Sequence, residues 1–348
     1  MKALIFTFTL LFTQIHALDS TLFEDRTEGN QIVLESKRVF IEGFPEAFNP
    51  SLFKIDQGYL LTFRYTLDQI NASWVNYIGV ILLSETFEPI SKPQLLSTRS
   101  KNSKTPSQTE DARVFSYRNR LFLIYNDNPE VTNPHRGERR DMYIAELIYR
   151  EGLFSLSTPL KLYYEDKYNT AWWQKNWSPF EWNHKLFLSY TISPHEIIYL
   201  NLTNGDCYKF YETQSKIDWE WGPLRGGTPP LLVDGEYLTF FHSGMMASSP
   251  VSFGWDLWHY FMGVYTFSAD PPFQITKISR RPIIADGFYE ASHYQKRVIF
   301  PGGFVVADEK IYLAYGRDDY EVWIATIDKA ALLKSLVSVE KQTETNTK

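Results

Sequence analysis

Asp56-Gln-Gly58, followed by Tyr59-Leu-Leu-Thr-Phe-Arg-Tyr65, reads as a tight turn opening into a strand of aromatic and large aliphatic residues. The same unit returns four times. Tyr117-Arg-Asn119 leads into Leu121-Phe-Leu-Ile-Tyr-Asn126, and Trp182-Asn-His184 into Leu186-Phe-Leu-Ser-Tyr-Thr191. Asp234-Gly-Glu236 leads into Tyr237-Leu-Thr-Phe-Phe-His242, and Asp308-Glu-Lys310 into Ile311-Tyr-Leu-Ala-Tyr-Gly316. Each unit has a short apolar stretch before it, at Ser51–Ile55, Arg113–Ser116, Ser178–Trp182, Pro230–Val233 and Gly303–Ala307. Most have a further strand behind, clearest at Tyr77–Leu83, Met142–Ile148, Ile197–Leu200, Tyr260–Phe267 and Val322–Ile327. Five copies of one strand-turn-strand meander predict an all-β chain folded as a five-bladed β-propeller. A β-sandwich would not explain five copies of the unit.

The rest of the chain fits one domain. Its 348 residues are 44% hydrophobic and 16% aromatic, enough to fill a large core and still leave rings for a binding face. Formal net charge is −6 with no Lys/Arg block, which argues against nucleic acid as a partner. Residues 1–17 carry Lys2, an apolar run Ala3–Phe12 and Ile15-His16-Ala17, the pattern of a signal peptide for a secreted or periplasmic protein. Nothing later is apolar for long enough to form a transmembrane helix. Residues 18–348 then form a single domain. Leu18–Asn30 reads as polar and irregular, Lys329–Val337 as a short C-terminal helix beneath the propeller, and Ser338–Lys348 as a frayed tail. Cys207 is the only cysteine, so no intrachain disulfide forms. No His/Asp/Glu spacing resembles a metal loop, and no Gly-rich stretch resembles a phosphate cradle, so neither metal nor organic cofactor is expected. Asn71-Ala-Ser, Asn176-Trp-Ser and Asn201-Leu-Thr are formal glycosylation sequons.

In a propeller the strand that starts and the strand that ends at the turn-distal edge share one mouth of the central channel. At that edge the repeats break their apolar pattern. The first strands begin at Asn49-Pro50, Glu110-Asp111-Ala112-Arg113, Lys175-Asn176-Trp177, Arg225-Gly226-Gly227-Thr228 and Pro301-Gly302-Gly303. The second strands end at Arg64, Asn126-Asp127, Thr191, His242 and Gly316-Arg317-Asp318-Asp319. Singly, each is explained by a turn, a bulge or a structural histidine. Together, at one edge of five repeats, they predict a polar site. Trp172, Trp173, Trp177, Trp219, Trp221, Trp255 and Trp258 fall near these positions. Flat rings that stack on pyranoses, beside Asp, Asn and Arg that bind hydroxyls, fit an oligosaccharide, although tryptophans also pack between blades.

These residues resemble glycoside hydrolase family 130, the β-mannoside phosphorylases and β-mannosidases, from about Asn49 to Asp328. Glu110-Asp111-Ala112-Arg113 is similar to the family's Glu-Asp-Pro-Arg, with Ala112 in place of Pro. Lys175-Asn176-Trp177, Arg225-Gly-Gly-Thr-Pro229 through His242, and Val298-Ile-Phe-Pro-Gly302 through Asp319 resemble three further motifs, in order. The resemblance implies a five-bladed propeller with an inverting mechanism. Asp111 would be the general acid, acting through a substrate hydroxyl. Asn49 and Asp319 would hold the sugar at the cleavage subsite with Arg64 nearby, and Arg113, Trp177 and Arg225 would complete substrate binding. Lys175 and His242 fall near phosphate-binding positions, joined by an arginine at Arg139 or Arg140. The chain departs from the family at Ala112, at the long insert Ser243–Trp258 and at Arg317.

Two classes of function follow. One is an enzyme cleaving a β-mannoside, with inorganic phosphate or water as nucleophile; the other is a non-catalytic glycan-binding propeller, which has no use for Asp111 as an acid. Asp111, Arg113, His242 and Asp319 together favour the enzyme. Phosphorolysis needs cations, and Lys175, His242 and Arg225 stand where the nucleophile should arrive. Hydrolysis by inversion needs a carboxylate base about 6.5–9.5 Å from the acid. The available carboxylates, Glu181, Asp218, Glu220 and Glu290, lie on no aligned strand edge, whereas the signal peptide is more natural for a hydrolase.

Overall fold

The computed structural model describes residues 17–19, 21–99, 105–128, 140–164, 173–290 and 295–341. Strands are set by turn chemistry first. The inner hairpins of three repeats close on two residues, Arg118-Asn119, Asn183-His184 and Asp234-Gly235, all with positive φ. That is the geometry whose twist matches paired strands, and Asn, Asp and Gly adopt it at low cost.

Five antiparallel meanders result. Blade I comprises Phe48–Ile55, Gly58–Asp68, Ala72–Leu83 and Gln94–Leu95; blade II comprises Glu110–Tyr117, Arg120–Asp127 and Asp141–Arg150, edged by Leu153–Leu156 and Leu160–Lys161. Blade III comprises Ser178–Trp182, Lys185–Thr191, His195–Leu200 and Cys207–Thr213. Blade IV starts with two short pieces, Leu224–Gly226 and Leu231–Val233, followed by Glu236–Ala247, Leu257–Ser268 and Ile275–Ser279. Blade V comprises Lys296–Ala307, Lys310–Arg317 and Glu321–Asp328. Its outer strand is Val33–Arg38 from the start of the chain, paired antiparallel to Glu321–Asp328.

The core is divided as a ring demands. Leu60 and Val80 of blade I pack with Leu123 of blade II, and Ile124 of blade II with Leu188 of blade III. Phe187 of blade III packs with Phe241 of blade IV, Phe240 of blade IV with Leu313 of blade V, and Ile324 of blade V with Leu61 of blade I. The fifth interface returns to the first blade, so the structure is a closed β-propeller. At one end of its axis a cavity of about 490 Å³ is lined by all five inner strands, for example by Leu52, Val114, Phe180, Leu231 and Phe304.

Several expectations are revised. Residues 18–30 are not irregular: they carry the helix Thr21–Glu24 and most of the helix Thr27–Ile32, whose Phe23 and Ile32 join the core between blades IV and V. The strand behind them, Val33–Arg38, has half its residues partly exposed and so shows no apolar signature. The C-terminal helix spans only Lys329–Ser335, capped by Asp328, which accepts from the Ala331 N–H at 2.8 Å; Leu336–Ser338 is instead a strand on Ile275–Ser279. Glu340–Lys341 pairs with Ser215–Lys216, so the tail is tied down at least that far.

The paired glycines are close-approach positions. A Cβ on Gly303 would lie 2.3 Å from the Ser51 Oγ, and one on Gly302 would lie 2.0 Å from the Pro50 carbonyl oxygen, both in blade I. The inner strands of blades V and I can therefore meet only if these side chains are absent.

Candidate active site

The site is built on bulges that fall at the same place in blades I, II and V. The pairing register slips between Phe48 and Ser51, between Glu110 and Arg113, and between Pro301 and Gly303. A bulge turns one residue out of the ladder and re-aims its side chain. In blades I and II that residue is left-handed, Asn49 at φ 46° and Asp111 at φ 53°. Such a backbone costs non-glycine residues energy and concentrates at functional sites, with Asn and Asp its best tolerated occupants.

The two bulges meet. Asn49 Nδ2 donates to Asp111 Oδ1 at 2.9 Å, and Arg64, from the second strand of blade I, reaches the same oxygen at 3.3 Å. Asp111 Oδ2 makes no hydrogen bond or ion pair among the described residues and is left to the cavity. Arg64 is itself held by Asn76 Oδ1 at 2.9 Å and by Glu110 Oε1 at 3.0 Å. Glu110, visible in the sequence only as part of a motif, is the hub of the cluster. Arg140 lies 3.1 Å and Lys175 2.7 Å from its carboxylate. Burial opposes ionisation of Glu110, but Arg64, Lys175 and Arg140 hold its pKa far below the usual carboxylate range. Of the two arginines considered, Arg140 therefore belongs to the site; Arg139 lies outside the described residues.

Across the mouth the cations are less well matched. Arg113 is buried and donates to Asn176 Oδ1 at 3.0 Å and to the Gly226 carbonyl at 3.3 Å, while its Nε has no partner. Burial pulls its pKa down to about 10, which leaves it cationic at neutral pH. Arg225 faces His242 across the ladder and sets its guanidinium 5.9 Å from the Tyr260 ring centre. Neither arginine forms an ion pair with a carboxylate among the described residues. His242 is buried between Tyr260 and Phe300, with centroids at 5.7 and 4.7 Å. Burial, then Arg113 and Arg225, push its pKa well below the ordinary histidine value. It stands there as a neutral imidazole rather than the cation-capable group read from sequence, and its Nδ1 is buried without a hydrogen-bond partner.

At the blade V side, Lys296 Nζ reaches Asp319 Oδ2 at 2.5 Å. Burial disfavours the Lys296 charge, but Asp319 outweighs it and holds the ammonium above its ordinary pKa. Lys296 opens the inner strand Lys296–Ala307 seven residues before Gly303, where the apolar pattern of the sequence begins, and so carries no signal there. Asp318 is structural: its Oδ1 accepts from the Val298 N–H at 2.8 Å. Arg317 also turns away, to Glu321 at 2.7 Å and over the Trp323 ring.

Asp111, Lys175, Asn176, Arg225, His242 and Tyr260 line one cavity of about 530 Å³. Trp177, expected to bind substrate, lines the same cavity but is only 1% exposed, edge-on to Tyr190 at 5.3 Å, and its Nε1 donates to Gln174 Oε1, so its ring is packed into the wall. The available ring is Trp173, 54% exposed in the same cavity, with the Lys175 ammonium 5.1 Å from its centre. Trp172 lies outside the described residues. Of the four carboxylates named as hydrolytic bases, Glu181 lines the opposite end of the axis, Glu220 a cleft against the N-terminal helices, and Glu290 the cleft beside Phe23. Asp218 is exposed and lines none of these. Among the described residues, Asp111 is the only carboxylate on the cavity wall.

A sequence profile described as beta-1,4-mannooligosaccharide phosphorylase matches residues 26–337. No protein of curated function matches the sequence significantly. Among solved structures, the beta-1,2-mannobiose phosphorylase of Listeria innocua superposes with a TM-score of 0.57 at 14% identity, covering 89% of this chain and 97% of its own. The mannose phosphorylase MPT-4 of Leishmania mexicana gives 0.56 at 14%, covering 92% and 96%. A structure described with glycoside hydrolases that target beta-1,2 mannosidic linkages in Candida mannan gives 0.57 at 15%, covering 81% and 84%. Since the profile spans all five blades, the chain belongs to glycoside hydrolase family 130, whose members are glycoside phosphorylases and hydrolases acting on mannosides.

Proposed function

We propose that this protein cleaves a β-mannoside by inverting phosphorolysis. The observation that carries this reading is the imbalance of charge in the cavity. Arg225 on the cavity wall and Arg113 buried beside it form no ion pair with a carboxylate, both lie close to Lys175 and the neutral His242, and the wall offers no second carboxylate among the described residues. A buried cation without a counter-ion is costly, and an arriving phosphate dianion removes that cost while forming charge-assisted hydrogen bonds. Asn49, Arg64 and Asp319 would hold the mannosyl unit. Asp111, fixed through Oδ1, would deliver a proton from Oδ2 through a sugar hydroxyl to the departing glycosidic oxygen. A phosphate oxygen, held by Lys175 and Arg225 with His242 as a neutral donor, would attack the anomeric carbon from the opposite face. The products are α-mannose 1-phosphate and the shortened oligosaccharide. Protonation help of this kind contributes ~10²–10⁴ in rate, so Asp111→Asn should lose that much turnover and keep its fold.

The test is product analysis at fixed mannobiose with phosphate varied from none to several millimolar. Mannose 1-phosphate is expected in proportion to phosphate. Free mannose at a rate indifferent to phosphate would overturn the assignment in favour of a hydrolase, the activity better suited to export. We also propose export itself, with residues 1–17 removed; of these only Ala17 is described, bridged to Ser248 beside the Leu18 N–H bond to the Ser248 carbonyl. N-terminal sequencing of secreted material should start at Leu18.

A further inference from the structure

The segment Ser243–Trp258 is not a loose insertion. It extends the central hairpin of blade IV, as Glu236–Ala247 and Leu257–Ser268, beyond the mouth of the cavity and pairs every residue from Ser243↔Phe261 to Ala247↔Leu257. Its tip is braced by buried polar groups. Ser249 and Ser252 cap each other around the turn Pro250–Ser252, and the His259 ring bridges the Ser249 Oγ at 2.7 Å and the Leu257 carbonyl at 2.9 Å. Arg297 donates to the Val251 carbonyl at 2.6 Å, which ties the tip to blade V. Trp258↔Lys296 and Tyr260↔Val298 weld the same edge to that blade.

On this rigid frame the large apolar side chains face outward. Phe253 is 69% exposed, Trp255 72% and Trp258 40%, and Met246, the cross-strand partner of Trp258, is exposed as well. Trp258 adjoins the cavity. Trp258 meets Tyr260 edge-on at 6.2 Å, and Tyr260 lies parallel to His242 at 5.7 Å on the cavity wall. A soluble chain rarely fixes several exposed aromatic residues on a braced hairpin without a ligand for them.

We propose that Trp258 and Trp255 form a stacking platform for mannosyl units beyond the bond being cleaved, so that the enzyme prefers oligosaccharides longer than a disaccharide. This deepens the mannoside reading above and rests on it. The occupant is a glycan rather than another protein because Trp258 abuts Tyr260 on the wall of the sugar cavity, and because indole rings suit pyranose faces. The hairpin would set the chain-length preference while Asp111 and its neighbours perform the cleavage.

The experiment compares kcat/KM on β-1,4- and β-1,2-linked mannobiose and mannotetraose for the native enzyme and for Trp258→Ala, Trp255→Ala and Phe40→Ala. Phe40 is an equally exposed ring beside the closing strand, remote from the hairpin. The native enzyme should favour one tetraose over its biose. Trp258→Ala should cut that ratio by about tenfold, the size of one lost ring contact, and Phe40→Ala should leave it in place. In parallel, mannotetraose should quench the tryptophan fluorescence of Asp111→Asn, and Trp258→Ala in that background should weaken the quench by a similar factor. A native enzyme without length preference, or a ratio that survives both tryptophan changes, overturns the platform and leaves the phosphorolysis reading intact. Trp258-dependent binding of mannotetraose without turnover of any mannoside supports the platform and overturns the activity. A dimer in solution that Trp255→Ala dissolves, with no change in the ratio, shows the row to be a subunit contact and overturns the proposal.

Discussion

Glu110 shows how much a single buried side chain can organise. Three cations, Arg64, Arg140 and Lys175, converge on it from three parts of the chain; without it Arg64 would keep only Asp111 as a carboxylate partner, and Arg140 and Lys175 would keep none among the described residues. Removing one partner of such a cluster costs about 3–5 kcal/mol, so Glu110→Gln should lower the unfolding free energy, measured by denaturant titration, by that amount. The cations it releases should also bind anions more avidly, so added phosphate should raise the melting temperature of Glu110→Gln by more than that of the native protein. Equal shifts would mean that Lys175 and Arg140 do not face the phosphate. Asp111, one residue on, was legible in the sequence because an acidic motif at a strand start is conspicuous. Glu110 was not, because its importance lies in contacts with Arg64, Arg140 and Lys175, 46, 30 and 65 positions away. Trp177 was only partly legible for a related reason: an indole two residues after a lysine reads the same whether its face is offered or buried, and packing against Tyr190 shows it buried.

At the scale of elements, the hairpins were readable because their turns obey local chemistry, as at Asn183-His184 and Asp234-Gly235. The strand ends were not. Lys296 and Glu236–Ala247 run past the polar residues that seemed to close them, since pairing with a neighbouring strand, rather than hydrophobicity, sustains those turns of sequence. Gly302-Gly303 looked like a bulge and is one, but its main service is to let blades V and I touch. Gly303→Ala would push a methyl group onto the Ser51 Oγ and the Leu52 nitrogen, 2.3 and 2.6 Å from the new carbon. The inner strands must then part, at a cost of about 1–3 kcal/mol. Asn49, two residues before Ser51, should move with them, so kcat should fall along with thermal stability. A variant as active and as stable as the native protein would show that the blades have slack at this contact.

For the whole molecule, burial of histidines makes acid the natural enemy. His195 is enclosed between blades III and IV, its Nδ1 2.8 Å from the Phe273 carbonyl, and burial lowers its pKa to about 4 despite that bond. His242 and His259 are displaced in the same direction by burial. A folded pKa below the unfolded value of about 6.5 means that the unfolded chain takes up the proton first. Stability from each group is therefore complete above pH 6.5 and drains away as the pH falls; for His195 the loss runs at roughly 1.4 kcal/mol per pH unit down to its folded value of about 4. Unfolding free energies measured at pH 7.5 and 5.0 should differ accordingly, and His195→Gln should flatten the slope even while lowering stability throughout. A slope unchanged by His195→Gln would assign the acid sensitivity elsewhere. The ring itself carries a further consequence through its closing strand. Val33–Arg38 is made among the first of the described residues, and its partner Glu321–Asp328 among the last. No amount of chain short of nearly the whole can fasten the clasp, so a translating ribosome holds an open arc until the final blade emerges. Early release or truncation before Glu321 yields a loose necklace of blades with one bare edge at each end.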